Sequence, residues 1–157
     1  MTWLEACNDP HLRGLPFKVE LNSRGKIEMS PHKNNPALYQ GRIIRWLSKL
    51  MPDGEAFPEC PIETSDNVKV ADVVWASPAT LTVIQDQAAC SVAPEICVEI
   101  ASTSNTFDEL AAKRLLYFAS GAGEVWLCDE RGRMSFFGRE GTLSTSRLCP
   151  AFPAQVS

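Results

Sequence analysis

Two acidic residues stand where their neighbours are apolar. Asp72 lies inside VKVADVVWA (68–76), a run rich in β-branched residues, on the strand face it shares with Val70 and Val74. Glu99 lies inside EICVEIA, between Val98 and Ile100. A carboxylate in the middle of a sheet strand is unfavourable unless it is paired, protonated or bound to a cation. Two of them on separate strands can converge on one hard divalent cation, with backbone carbonyls and water completing an oxygen shell. The competing reading is structural: Asp72 ends a strand in solvent and Glu99 pairs with a lysine. Residue pattern leaves both open. Lys113 is the next residue of interest, on the helical segment after Glu99. Phe107, Leu110, Ala111, Leu115, Leu116, Tyr117 and Phe118 spread around that segment, which predicts a helix packed on several sides. Lys113 or Arg114 then lies near protein, although a snorkelling surface lysine fits the pattern equally well.

Other chemistries find little support. There is no phosphate-loop signature, no HExxH, no GxGxxG and no GxSxG, and GAG at 121–123 reads as a helix stop. The six cysteines form no CxxC pair, and Cys97 and Cys128 lie in apolar runs where a thiol behaves as a small core residue. A disulfide scaffold or zinc site is not expected, and His11 and His32 are too few for a histidine cage. The formal charge of −4 argues against a protein that coats nucleic acid non-specifically. A site that holds phosphates through a metal ion is unaffected by that argument.

The elements that must position these residues are short and varied. LPFKVEL (15–21) alternates Phe17, Val19 and Leu21 with Lys18 and Glu20, which predicts a half-buried strand; KIEMS (26–30) returns as its hairpin partner after the NSRG turn. A helix is expected over 37–51, with Ile43, Ile44, Leu47 and Leu50 on one side and Arg42, Arg45 and Lys49 on another. AFPECPIET (56–64) reads as an irregular or edge strand because of its prolines. VKVADVVWA follows as a strand, and SPATLTVIQDQ (77–87) as a short helix or a loop. PEICVEIAS gives another strand. STSNTFDELAAKRLLYFASGAG (102–123) opens with capping residues, continues as a helix and stops at Gly121. EVWLCD and MSFFG form a second hairpin around ERGR. Residues 1–14 read as a loose lead-in, and the Ser- and Pro-rich stretch 139–157 carries no clear pattern.

That order predicts a single α/β (α+β) domain over 1–157, its core at about 15–138, with a central mixed sheet flanked by two main helices. With 157 residues, 45% hydrophobic and 22% charged, the composition is globular. No apolar run approaches the ~20 residues that span a bilayer, and MTWLEACNDPH is not a signal peptide. The expectation is a soluble cytoplasmic protein.

The ordered set of motifs resembles the Uma-two family of putative restriction endonucleases, in the PD-(D/E)XK nuclease superfamily. Ala71-Asp72-Val73 stands at the family's Pro-Asp-Val strand, and Val98-Glu99-Ile100 with Ser102 at its Val-Glu-Val strand. Asp108, Lys113 and Tyr117 match the helix, Glu124-Val125-Trp126 with Asp129 the following strand, and Glu20 the opening hairpin's glutamate. The resemblance covers roughly residues 17–138. It implies a restriction-endonuclease-like fold and metal-dependent hydrolysis of DNA phosphodiesters. Asp72, Glu99 and the Ile100 carbonyl would hold Mg²⁺ or Mn²⁺, with Lys113 and Glu20 as further catalytic residues. Ala71 replaces the proline. Ala101 stands where the lysine after the glutamate is expected, and the resemblance implies that Lys113 supplies it from the helix. Arg42, Arg45 and Lys49 are candidate contacts to DNA phosphates. A homodimer is also implied, with Trp3, Trp46 and Phe136–Phe137 as candidate contact residues. The alternative is a catalytically inactive nuclease-fold module that binds nucleic acid or a protein partner.

Overall fold

Strands and helices follow one another as the hydropathy pattern requires, with additions at both ends. The structure, a computed structural model, describes residues 1–31, 34–102 and 105–156, residues 34 and 35 by backbone only. His32 and the capping candidates Thr103 and Ser104 lie outside the described residues. The strands are β1 (Phe17–Leu21), β2 (Ile27–Pro31), β3 (Glu55–Thr64), β4 (Asn67–Ala76), β5 (Ile96–Ile100), β6 (Glu124–Cys128), β7 (Met134–Gly138) and β8 (Gly141–Leu143). The helices are α1 (Trp3–Asn8), α2 (Asn34–Leu50), α3 (Pro78–Ile84) and α4 (Phe107–Ala119). β1 and β2 form a separate two-stranded hairpin, while the other six make one sheet in the order β3-β4-β5-β6-β7-β8. The pair β5–β6 is parallel, joined through α4, and the remaining pairs are antiparallel. The sheet is therefore mixed, as expected, and β3 is its edge.

Strand alternation sends side chains into two cores. Val73, Trp75, Ile96, Val98 and Trp126 pack towards Ile43 and Leu47 of α2. Val74, Cys97 and Val125 pack towards Tyr117 of α4 and Ile84 of α3 on the opposite face. Burying these side chains supplies the main driving force for the fold, at about 25 cal/mol per Å² of apolar surface. The 77–87 segment resolves into α3, capped by Ser77 with Pro78 in its first turn. α4 starts later than the sequence suggests, because Thr106 and Glu109 form a reciprocal capping box. It is also less enclosed than its apolar residues imply. Phe107 and Leu115 are exposed, and Tyr117 is its one fully buried side chain.

The two ends correct the expectation of a loose lead-in and a patternless tail. Thr2 and Glu5 cap α1, and the Trp3 indole N–H donates to the Ala88 carbonyl at 2.9 Å. Cys149, Phe152 and Val156 enter the α2-side core, where Phe152 packs on Trp126. Val156 N–H donates to Gly132, whose φ of +83° suits glycine. Phe136 is likewise core, edge-on to Trp126, so it is withdrawn from the candidate subunit contacts. All six cysteines are free, and five are buried. No helix among the described residues is long and apolar enough to cross a membrane.

Candidate active site

The site forms where two backbone ladders come apart. β4 pairs with β5 from Trp75↔Ile96 to Val73↔Val98, short of Asp72. There the Asp72 carboxylate takes the place of a strand carbonyl: Oδ2 accepts the Ile100 N–H at 2.7 Å. On the other side, Glu59 of β3 adopts φ +54° between the pairs Pro58↔Val73 and Cys60↔Ala71. A left-handed glutamate is uncommon and costs strain. Gln40 of α2 fills the gap, donating to the Asp72 carbonyl at 2.8 Å and to Glu59 Oε1 at 3.1 Å. The fork leaves the Asp72 side chain pointing at the end of β5.

Glu99 is 2% exposed and faces α4. Tyr117 Oη donates to its Oε1 at 2.6 Å, and Lys113 Nζ approaches the same oxygen at 3.5 Å. Lys113 and Tyr117 are four residues apart, so one helix face delivers both. Lys113 also pairs with Glu20 Oε2 at 2.8 Å, and that oxygen accepts the Val70 N–H at 2.7 Å. The second carboxylate oxygen of Glu99 points elsewhere. Oε2 lies 3.1 Å from Lys18 Nζ, which in turn lies 3.0 Å from Asp72 Oδ1. Asp72 and Glu99 thus aim one oxygen each at a single cationic point. A cavity of about 50 Å³ opens beside it, bordered by Ser30, Ser102 and Asn105 among others.

Three carboxylates share two ammonium groups, so charge is not evenly satisfied. Burial opposes ionisation of Glu99, yet Lys113, Lys18 and the Tyr117 hydroxyl outweigh it and hold the carboxyl down at about 2. Burial dominates at Asp72 and, with the nearby Glu99 charge, pushes it up to about 7 against Lys18 and the Ile100 N–H. Burial works against the Lys18 charge too, but Glu99, Asp72 and Glu20 carry its pKa well above the usual lysine value. Burial beside the Glu99 charge keeps Tyr117 protonated, raised well above the usual phenol range.

Asp72, Glu99, Lys113 and Glu20 therefore come together. Ile100 is present through its N–H. The basic face of α2 is not part of the cavity wall: Arg42 lies over Tyr39, Lys49 over Trp46, and Arg45 is exposed. α2 reaches the site through Pro36 and Gln40 instead. Asp129 caps the β6–β7 turn by accepting the Arg131 and Arg133 N–H groups. Lys18 was missed, because β1 follows its alternation only in part. Lys18 and Glu20 are buried along with Leu21, and Phe17 is 40% exposed. The hairpin lies over the acidic site and Val70 rather than over an apolar core. The available signal was charge complementarity: a lysine and a glutamate two residues apart suit a site holding two further carboxylates.

The donor set fits a hard divalent cation in part. Two carboxylates aimed at one point, with carbonyl and water oxygens, suit Mg²⁺, which commonly takes one or two protein carboxylates. No group of three or more His, Cys, Asp or Glu side chains able to hold a metal occurs among the described residues. Glu20, the nearest third carboxylate, is committed to Lys113 and Val70.

A mixed sheet with helices on both faces is the restriction-endonuclease-like fold expected from the sequence. The chain belongs to the Uma2 family, described as Putative restriction endonuclease, which matches residues 9–154. Among solved structures it is similar to a putative nuclease belonging to DUF820 from Anabaena variabilis ATCC 29413. The TM-score is 0.78 at 16% identity, covering 99% of this chain and 95% of that one. At that identity the likeness speaks for the fold. No curated protein matches the chain.

Proposed function

We propose that the protein is a metal-dependent endonuclease that hydrolyses phosphodiester bonds in DNA. The observation that carries the reading is the convergence of Asp72 Oδ1 and Glu99 Oε2 on one cationic point, with Lys113 alongside. Asp72, Glu99 and the Ile100 carbonyl are the groups that would hold Mg²⁺ or Mn²⁺. Such a cation, when bound, polarises a phosphate and acidifies a water. Tyr117 fixes the rotamer of Glu99, and the Ile100 N–H fixes that of Asp72, so both carboxylates are set before any ligand arrives. Lys113 presents an ammonium to phosphate oxygens that gain charge during hydrolysis, and Glu20 holds it in place. Arg42, Arg45 and Lys49 offer a basic face on the helix that also supplies Gln40 to the site. A cytoplasmic homodimer completes the reading.

Plasmid cleavage by the wild type and Glu99→Ala, each with Mg²⁺, Mn²⁺ or EDTA, tests it. Cleavage should require metal and disappear in the variant. A wild type that leaves DNA intact under all conditions would sink the reading. One observation favours a second possibility, an inactive nuclease-fold module that binds nucleic acid or protein. Lys18 and Lys113 already satisfy much of the acidic cluster without any metal. That alternative expects DNA or partner binding that is indifferent to EDTA.

A further inference from the structure

A divalent cation and Lys18 claim the same place. Lys18 Nζ stands 3.0 Å from Asp72 Oδ1 and 3.1 Å from Glu99 Oε2, the two oxygens assigned above to the metal. Mg²⁺ holds oxygen at about 2.1 Å, so the carboxylates need only close in by about an ångström for a cation to take the ammonium's position. Both charges cannot stay there, since each requires the same lone pairs and they repel strongly at such separations.

The other two lysines of this region differ. Lys113 has a carboxylate other than the candidate ligands, Glu20, at 2.8 Å, closer than Glu99 at 3.5 Å. Lys69 is held by the Leu21 carbonyl as well as by Glu28 and Asp66, away from Asp72 and Glu99. Among the described residues, both side-chain hydrogen bonds of Lys18 go to the two candidate metal ligands. Its side chain is 8% exposed, so water cannot easily replace them.

Resting on the reading of Asp72 and Glu99 as a metal site, we propose that Lys18 is a built-in counter-cation which a divalent cation must displace. In the metal-free protein it keeps two neighbouring carboxylates from repelling each other and holds them pointed at one spot. On loading, its ammonium leaves that spot beside a cavity bordered by Ser30, Pro31 and Pro36, where it is available to an anionic ligand such as a phosphate. Loading by metal alone is therefore weakened by the need to expel Lys18.

The test is calorimetric titration of Mn²⁺ into the full wild-type chain and Lys18→Met at one fixed pH. Removing the competitor should tighten binding about tenfold or more at unchanged one-to-one stoichiometry. Equal or weaker binding in Lys18→Met, with the wild type still binding, overturns the displacement and leaves the metal site standing. No binding by either folded protein overturns the metal site and the displacement together. Should Lys18→Met fail to fold, acetylation footprinting of the wild type decides. Lys18 should react several-fold faster once Mn²⁺ saturates the protein, while Lys69 keeps its rate. An unchanged Lys18 rate overturns the proposal.

Discussion

Glu99 and Glu124 are 2% and 3% exposed and lie on adjacent parallel strands, at opposite ends of the pairing. Their partners could hardly differ more. Glu124 accepts from the Trp126 indole, the Ser146 hydroxyl and the Arg147 and Leu148 N–H groups at 2.7–2.9 Å, all neutral. Two of these donors are peptide groups, and none can be exchanged for a metal ion without unravelling the chain. The result is an anchor that draws the C-terminal segment onto the core. Glu99 is held by one phenol and two ammonium groups. Ammonium groups sit on flexible stems, and a cation can replace them. Burial of a carboxylate is thus a poor guide to chemistry, and the kind of donor that satisfies it is a better one.

The sharpest way to break the comparison is to neutralise each glutamate in turn. Glu99→Gln should lower metal-dependent cleavage by about 10²–10³-fold or more. Glu124→Ala should lose about 3 kcal/mol or more in urea denaturation through unpaired buried donors. Its cleavage should be retained wherever it remains folded. Tyr117→Phe should come next: removing a hydrogen bond to a charged group costs about 1.5–3 kcal/mol. Loss of the Glu99 rotamer should reduce cleavage about tenfold.

Acidity acts with opposite signs at the two ligands. Glu99 is held at about 2, so its stabilising contribution is complete above the usual glutamate range and is lost as pH falls towards 2. Asp72 is raised to about 7, so the folded state prefers it protonated and stability declines as pH rises from about 4 to 7. Denaturation midpoints measured from pH 3 to 8 should show both slopes, and Asp72→Asn should remove only the neutral-side decline. The smallest effect belongs to the outer face of α4, where Leu115→Ser should change stability by no more than about 0.5 kcal/mol.

Much of the sheet was legible because alternation and β-branched runs mark its strands, and Asp72 and Glu99 were legible as interruptions of those runs. Lys18 was not, since alternation assigns the apolar face of a strand to the interior. On β1 Lys18 and Glu20 are interior as well as Leu21, because the hairpin covers carboxylates. The C-terminal segment escaped for a related reason. Cys149, Phe152 and Val156 have no regular spacing, and they are buried by an anchor at Glu124 that lies more than twenty residues upstream in the chain. Gln40 could not be singled out either: its role depends on the left-handed Glu59, which leaves no mark in hydropathy.

The most direct measurement is calorimetric titration of Mn²⁺ into the wild type, Glu99→Gln and Glu124→Gln. One site of similar affinity is predicted in the wild type and Glu124→Gln, with binding lost in Glu99→Gln. Binding that survives in Glu99→Gln, or is lost equally in both folded variants, would contradict the distinction between the two buried glutamates.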